Sequence, residues 1–189
     1  MTRTLIASLD GEYRRYKAYA EGALAQVSEP QLSERGPGDG NSLATICWHV
    51  AGNLKSRFTD FLTTDGEKPW RTREEEFEPR QVTRAELRAK WEEGWSALLD
   101  TLAALDDGML ERTVTIRQQP LAVHEALHRS LSHVSYHVGQ IVYLAHALRG
   151  GDWKYLSIPP GQTDAYNKAP THEKPAAYVQ HAQSKADAS

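Results

Sequence analysis

The chain has 189 residues, of which 40% are hydrophobic, so it is long enough to bury the core of one domain. Its 22 Lys and Arg residues nearly balance 25 Asp and Glu residues and are intermixed with them along the chain, so the formal net charge of −3 gives no sign of the basic surface that a nucleic-acid-binding protein needs. The one cysteine, Cys47, cannot form an internal disulfide, which favours a reducing, cytoplasmic location. No apolar run approaches the ~20 residues that cross a bilayer, and the first residues lack an apolar signal core, so we expect neither a membrane span nor a signal peptide.

Apolar residues recur with helical periodicity in four segments. The predicted helices extend approximately over residues 5–27, 42–62, 83–106 and 120–148. Ser42 is a suitable N-cap for the second helix, Thr83 and Glu86 form a capping box for the third, and Pro120 starts the fourth. The polar residues 63–82 connect the second and third helices as a long crossover. The pattern therefore predicts an all-α fold, a four-helix bundle.

Three segments outside these helices have weaker patterns. The sequence RTVTIRQQP alternates apolar and polar residues before the fourth helix, which predicts a short extended segment or one arm of a hairpin. The acidic run at residues 74–76 is predicted to be a solvated loop. The final residues, rich in Ala, Lys and Gln, are expected to form either one exposed helix or a loose end.

Two histidine pairs with the same i, i+4 spacing lie close together in the fourth predicted helix. His124 and His128 belong to HEALH, which matches the HExxH motif of zinc proteases, whereas His133 and His137 form a plain HxxxH pair. On a helical wheel, the second pair lies roughly 50° from the centre of the apolar stripe and the first pair roughly 130° from it. The two pairs therefore cannot bind one ion, and only His133 and His137 are predicted to face the interior.

The protease interpretation of HEALH requires Glu125 beside a bound water and both histidines aimed into a cleft. HEALH instead occupies the outward side of the first turns of a helix that continues well beyond it. We therefore favour a coincidental match. Together with His146 and the small residue Gly139, this side of the helix is a candidate dimer interface or a surface covered by the first helix.

The plain pair has two interpretations. His133 and His137 are either two hydrogen-bonded histidines at the edge of the core or metal ligands, since imidazoles at i, i+4 reach one ion. A metal site needs a third ligand. The candidate is His49, in the sequence WHVAGN of the second helix, although its position at the flank of the apolar stripe does not single it out.

WHVAGN, together with HVSYHVGQIVYLAHALRGGDWKYLSIPPGQ, resembles the DinB-like superfamily of metal-binding four-helix bundles. The second sequence is similar to the pattern HVxYHVGQIVYLAxxLRGxDWxxLSIPxGQ of one small branch. The resemblance covers about residues 5–167 and implies that His49, His133 and His137 bind a divalent ion, that the helices run up-down-down-up, and that the protein is a homodimer. We accordingly expect a bundle domain over residues 1–167 and a partly helical or flexible tail over residues 168–189.

The ligand set and the resemblance together suggest a reaction. Three histidines leave coordination positions open, as in catalytic zinc sites, and nickel suits the same donors. Several members of the superfamily are transferases or isomerases that use low-molecular-weight thiols such as bacillithiol, mycothiol or glutathione. The resemblance therefore implies a transferase that activates a thiol for attack on an electrophilic small molecule. A hydrolase that uses metal-bound water and a non-enzymatic, stress-associated metal-binding protein are the alternatives.

Residues around the predicted triad have simpler interpretations. Gln140 is expected to line the pocket and Tyr136 to pack against a neighbour. Cys47 lies roughly 160° from His49 on the wheel and is expected to be buried and structural. The pattern places no carboxylate beside the triad to act as the general base of a hydrolase. The nearest candidates for a fourth ligand that would close the site are Asn53 and Asp60.

Overall fold

The computed structural model describes residues 2–187 and shows a predominantly helical protein with one antiparallel two-stranded sheet. Its helices are α1 Thr4–Leu24, α2 Glu29–Ser33, α3 Leu43–Phe58, α4 Arg84–Ala104, α5 Val123–Arg149, α6 Thr163–Lys168 and α7 Pro175–Asp187. The strands are β1 Thr113–Ile116 and β2 Gln119–Ala122. Short 3-10 turns occupy Pro37–Asp39, Glu74–Phe77, Asp107–Met109 and Gly150–Asp152. Among the described residues, no helix has both the length and the hydrophobicity that crossing a bilayer requires.

Two of the long helices begin at the caps that the sequence predicts. The Ser42 side chain accepts a hydrogen bond from the Thr45 backbone N–H at the start of α3. Thr83 and Glu86 form the reciprocal capping box of α4, in which the Glu86 carboxylate accepts from the Thr83 backbone N–H. These bonds satisfy backbone donors that have no partner inside the helix.

The long helices pack most closely as two pairs, α3 with α4 and α1 with α5. At Gly94 of α4, an added Cβ would lie 2.5 Å from the Cα of Ala51, so the absence of a side chain permits the backbones of α3 and α4 to touch. The Tyr13 hydroxyl donates to the backbone carbonyl of Leu127, 2.8 Å away, and joins α1 to α5. The predicted core position of Cys47 is confirmed, since it is fully buried on α3. α3 also packs against α5, and this third contact carries the candidate site.

The predicted extended segment is a complete hairpin. β1 pairs with β2 through a tight turn in which Arg117 and Gln118 both have positive φ, as type I′ hairpin turns require. The predicted start of the fourth helix at Pro120 is wrong, because Pro120 pairs with Thr115 in the sheet and α5 begins only at Val123. Proline suits an edge strand as well as the first turn of a helix, so the sequence signal was ambiguous.

The C-terminal tail packs against the body of the protein. α7 lies along α1, and Tyr178 of α7 is buried, with its ring 4.5 Å from that of Tyr19. The Tyr178 hydroxyl also donates to the carbonyl of Leu156 at 2.6 Å. The tail is therefore helical over residues 175–187 and makes tertiary contacts; residues 188–189 lie outside the described part of the chain.

Candidate metal centre

Three histidine side chains converge between α3 and α5. His49 on α3 is buried, with 4% of its surface exposed, whereas His133 and His137 are half-buried on successive turns of α5. One ligand nitrogen from each ring lies within 4.8 Å of the other two. The Nε2 atoms of His49 and His133 are 3.2 Å apart. The three residues singled out in the sequence thus lie close enough to hold one ion.

A buried carboxylate fixes the ring of His49. Nδ1 of His49 lies 2.9 Å from Oε2 of Glu76, which is in the 3-10 turn of the crossover. Since a carboxylate only accepts hydrogen bonds, Nδ1 carries the proton and Nε2 presents its lone pair to the centre of the triad. Metal-binding histidines commonly have this carboxylate partner, which orients the ring and raises the basicity of the ligating nitrogen.

Glu76 is itself held on two sides. Nε and Nη2 of Arg71 each lie 2.8 Å from one carboxylate oxygen, and the Arg71 side chain is almost fully buried. Burial would raise the pKa of Glu76, but the hydrogen bonds from Arg71 and His49 outweigh it and lower the pKa. Glu76 therefore stays ionised at neutral pH and holds His49 in one tautomer.

The prediction that residues 74–76 form a solvated loop is wrong for Glu76, which is 7% exposed. The expectation that no carboxylate stands beside the triad is wrong for the same reason. Glu74 and Glu75 are exposed, so the acidic run alone does not indicate which residue turns inward. The sequence does contain one sign of this contact. Gly52 lies inside a helix, one turn after His49, and a glycine at such a position can mark the close approach of another side chain, here that of Glu76.

His137 is oriented from its own helix. Its Nδ1–H donates to Oε1 of Gln140 at 2.7 Å, which leaves Nε2 of His137 free for an ion. Gln140 therefore contacts a histidine of the triad, but it is not among the residues that line the cavity described below, where the sequence predicted it. Nδ1 of His133 is buried and has no hydrogen-bond partner in the described residues.

The two histidines of α5 resist protonation. Burial is the largest cause and, with the nearby His137, His49, Arg71 and Arg57, it lowers the pKa of His133 to about 3. Burial also lowers the pKa of His137, partly opposed by the hydrogen bond to Gln140. Both rings are therefore neutral at physiological pH, which is the form that binds metal.

The three nitrogen donors suit a metal ion, and one spacing between them can be compared with a known metal geometry. Two nitrogens that are each about 2.0–2.1 Å from a tetrahedral zinc ion lie about 3.3 Å apart. The Nε2 atoms of His49 and His133 are 3.2 Å apart, which matches that spacing. Three neutral imidazoles suit zinc and nickel and do not discriminate between them.

A cavity of about 190 Å³ opens beside the triad and reaches both His49 and His133. Its wall combines apolar residues of α3 and the hairpin with polar and basic side chains. The lining residues are His49, Asn53, Arg57, Phe58, Phe61, Arg71, Arg73, Ile116, Arg117, Ala126, Arg129, Ser130 and His133. Asn53, considered above as a fourth ligand, lies in this wall. Asp60, the other candidate, is neither among the residues that line this cavity nor in the metal-binding group found among the described residues.

The HEALH motif stands apart from this centre. Nδ1 of His124 is 3.2 Å from the Leu110 carbonyl, and His128 is exposed. The expected packing of Tyr136 against a neighbour is seen in the edge-on contact of its ring with that of His137, with 4.9 Å between the ring centroids, although 64% of the Tyr136 surface is exposed. The helical-wheel directions therefore separated the two histidine pairs correctly, since only His133 and His137 belong to the metal-binding group of the described residues.

The model of a protein family described as "Protein of unknown function (DUF1572)" matches residues 1–162. No curated protein and no solved structure matches the chain. The matched residues include all three histidines, Glu76 and the basic cavity, and end before α6 and α7.

Proposed function

The chain belongs to the DUF1572 family, and from this premise and the histidine triad we propose that it is a divalent-metal-binding protein of the DinB-like superfamily that transfers a low-molecular-weight thiol to an electrophilic small molecule. The proposal includes the up-down-down-up connectivity of that superfamily, a homodimer and a cytoplasmic location. The ion is zinc or nickel, held by His49, His133 and His137.

The observation that carries the proposal is the cavity beside the triad. A structural zinc site is closed by four protein ligands, whereas a catalytic site has three and leaves a position open. Here three histidines converge, and the cavity gives a small molecule access to His49 and His133. This arrangement favours an ion that takes part in chemistry.

The bound ion would lower the pKa of a coordinated thiol, so that its thiolate forms at neutral pH. In the transfer, the thiol proton goes to solvent, the sulfur forms a bond to the electrophilic carbon, and the leaving group departs with its electron pair. Glu76 and Gln140 hold the rings of His49 and His137 in position throughout. The buried Phe58 and Phe61 supply apolar surface to the wall of the cavity.

Hydrolysis is the second candidate, and Glu76 is the observation that bears on it. A hydrolase needs a general base near the attacking water. Both carboxylate oxygens of Glu76 are engaged by Arg71, and one also accepts from His49. Because Glu76 is occupied in orienting His49, the geometry favours thiol transfer over hydrolysis.

A direct experiment compares the purified protein with His133→Ala and with His128→Ala, a matched control on the exposed side of the same helix. Metal content is measured first, and the rate of reaction between a chlorodinitrobenzene and glutathione, bacillithiol or mycothiol is then followed with zinc or nickel. We expect the His128→Ala protein to bind metal and react as the original does, and His133→Ala to lose both properties.

The remaining outcomes separate the alternatives. Metal binding without a thiol-dependent rate above that of His133→Ala would support a non-enzymatic metal-binding protein. Metal-dependent cleavage of an ester without added thiol would support the hydrolase. A protein that binds no divalent metal would contradict all three functions.

A further inference from the structure

The basic wall of the cavity points to the chemistry of the substrate. We propose that the cavity binds the carboxylate or phosphate group of a small molecule and thereby directs the rest of that molecule to the histidine triad. This inference rests on the proposed function for the identity of the reaction, but the anion site itself is formed by the side chains of the chain alone.

Five arginines are among the residues that line the cavity, and none of the described lining residues is Asp or Glu. They come from separate parts of the chain: α3, the crossover, the hairpin turn and α5. The lining arginines are Arg57, Arg71, Arg73, Arg117 and Arg129. Guanidinium groups bind carboxylates and phosphates through paired hydrogen bonds, so a cluster of them in a concave site selects anions.

The positive charge exceeds the carboxylates that contact it. Arg57 and Arg117 share one carboxylate, that of Glu67. Arg71 pairs with Glu76 and Arg73 with Glu74, whereas Arg129 has no ionic partner in the described part of the chain. Five cations thus face three carboxylates.

The closeness of the arginines to one another affects the pKa of Arg57. Burial lowers its pKa, the hydrogen bond to Glu67 opposes this, and repulsion from Arg71 and Arg117 lowers the pKa further. The nearby Asp65 does not relieve the repulsion through a side-chain pair, since its oxygens accept from the backbone N–H groups of Glu67, Arg117 and Gln118. An incoming anion would therefore be attracted to this wall.

Two neutral groups complete the site. Ser130 is buried in the wall and its Oγ makes no hydrogen bond of normal geometry among the described residues. Asn53 also lines the cavity, one turn of α3 after His49. The Ser130 hydroxyl also lies close to the Tyr13 hydroxyl, so Asn53 is the neutral group of this wall that is better placed to bond a ligand.

The size of the cavity limits the ligand. Its volume of about 190 Å³ lies below the roughly 300–1,000 Å³ that is usual for pockets of drug-sized ligands, so the ligand should be small. Because the same cavity reaches His49 and His133, one short molecule can place its anionic group against the arginines and its other end at the triad. The substrate class is thus a small electrophile that carries a carboxylate or a phosphate.

The test measures binding of succinate, inorganic phosphate and the neutral succinamide by isothermal titration calorimetry. The full chain is used in its metal-loaded form and after removal of metal with EDTA. Arg129→Gln removes the unpaired cation, and Arg149→Gln, at the exposed end of the same helix and outside the cavity, is the matched control. Circular dichroism confirms that each variant is folded.

We expect succinate or phosphate, but not succinamide, to bind with and without metal. The affinity should fall about tenfold or more in Arg129→Gln, the effect of losing one charge-assisted hydrogen bond, and stay unchanged in Arg149→Gln. The stronger of the two anions identifies the group on the substrate. Anion binding that vanishes with EDTA and is unaffected by Arg129→Gln would show that the anion binds the ion itself, and would overturn the proposal. Anion binding that persists while no turnover is found would refute the reaction and leave the anion site standing.

Discussion

The carboxylate of Glu76 fills the space in which a side chain at Gly52 would begin. A Cβ atom added at Gly52 would lie 2.2 Å from Oε1 of Glu76, far inside contact distance. Gly52 lies three residues after His49 on α3, so the absence of a side chain there lets the carboxylate lie against the helix and reach Nδ1 of His49. The orientation of one ligand thus depends on a missing side chain on the same helix.

Gly52→Ala should therefore weaken metal binding. We expect the displaced carboxylate to release His49 and the zinc affinity to fall roughly 10–100-fold, as is usual when the partner of a ligating histidine is lost. Titration calorimetry with zinc measures this change. Gly139→Ala on α5 is the control, because an added Cβ there has nothing within 4 Å. Equal zinc affinities in the two variants would mean that Glu76 does not orient His49.

Glu76→Gln should destabilise the protein even without metal. The substitution preserves the shape of the side chain but leaves the buried Arg71 without its ionic partner. We expect the free energy of unfolding to fall by about 1–3 kcal/mol, the cost of weakening hydrogen bonds to a buried charge. Urea denaturation in EDTA measures this energy. Glu75→Gln, on an exposed neighbour, should leave it unchanged, and equal stability of both variants would contradict the buried pair.

Cys47 should be unreactive in the folded protein. Burial raises the pKa of its thiol well above the usual range, so neither access nor thiolate is available to a reagent. We expect a chromogenic disulfide reagent to label the protein only after denaturation in urea. A cysteine introduced at the exposed Ser132 should react at once. Rapid labelling of native Cys47 would indicate that this part of α3 opens readily.

The stability of the hairpin should depend on pH through the carboxyl group of Asp65. Hydrogen bonds from the backbone N–H groups of Glu67, Gln118 and Arg117 lower the pKa of Asp65 from 3.8 to about 2. Because the folded pKa lies below the unfolded one, this contribution to stability is complete above pH 3.8 and is lost as the pH falls through about 2.

Amide chemical shifts measure this directly. The N–H signals of Arg117 and Gln118 should titrate with an apparent pKa near 2, because both groups donate to the Asp65 carboxylate. In Asp65→Asn the same signals should show no transition in this range. A midpoint near 4 in the original protein would show that the carboxylate is not held by the hairpin.

The long helices could be predicted because their determinants are local. Apolar periodicity and the capping box at Thr83 and Glu86 are read within one segment, and both agree with the structure. The pairing of strands depends on residues outside the segment itself. Pro120 is suitable both for the start of a helix and for an edge strand, and its pairing with Thr115 places it in the strand. The boundary of α5 was therefore misplaced while its existence was not.

The residues of the candidate site also differ in whether local sequence could predict them. The inward direction of His133 and His137 follows from the geometry of one helix, and His49 was assigned by resemblance. Glu76 was missed because it lies in a crossover without periodicity, and its burial is set by Arg71 and by the space at Gly52. The cavity arginines come from four separate segments, so no single stretch of sequence shows that they meet.

The division of the ligands between α3 and α5 has a mechanical consequence. α3 is bound to α4 by the backbone contact at Gly94, and α5 is bound to α1 by the Tyr13 hydrogen bond, so the protein consists of two helical pairs. An ion bound by His49, His133 and His137 would link α3 to α5 and therefore one helical pair to the other. Because such an ion would bind only the folded chain, free metal would raise the free energy of unfolding by mass action, by about 4 kcal/mol at a thousand times Kd. The concentration of free metal would then set the stability of the contact between the two helical pairs.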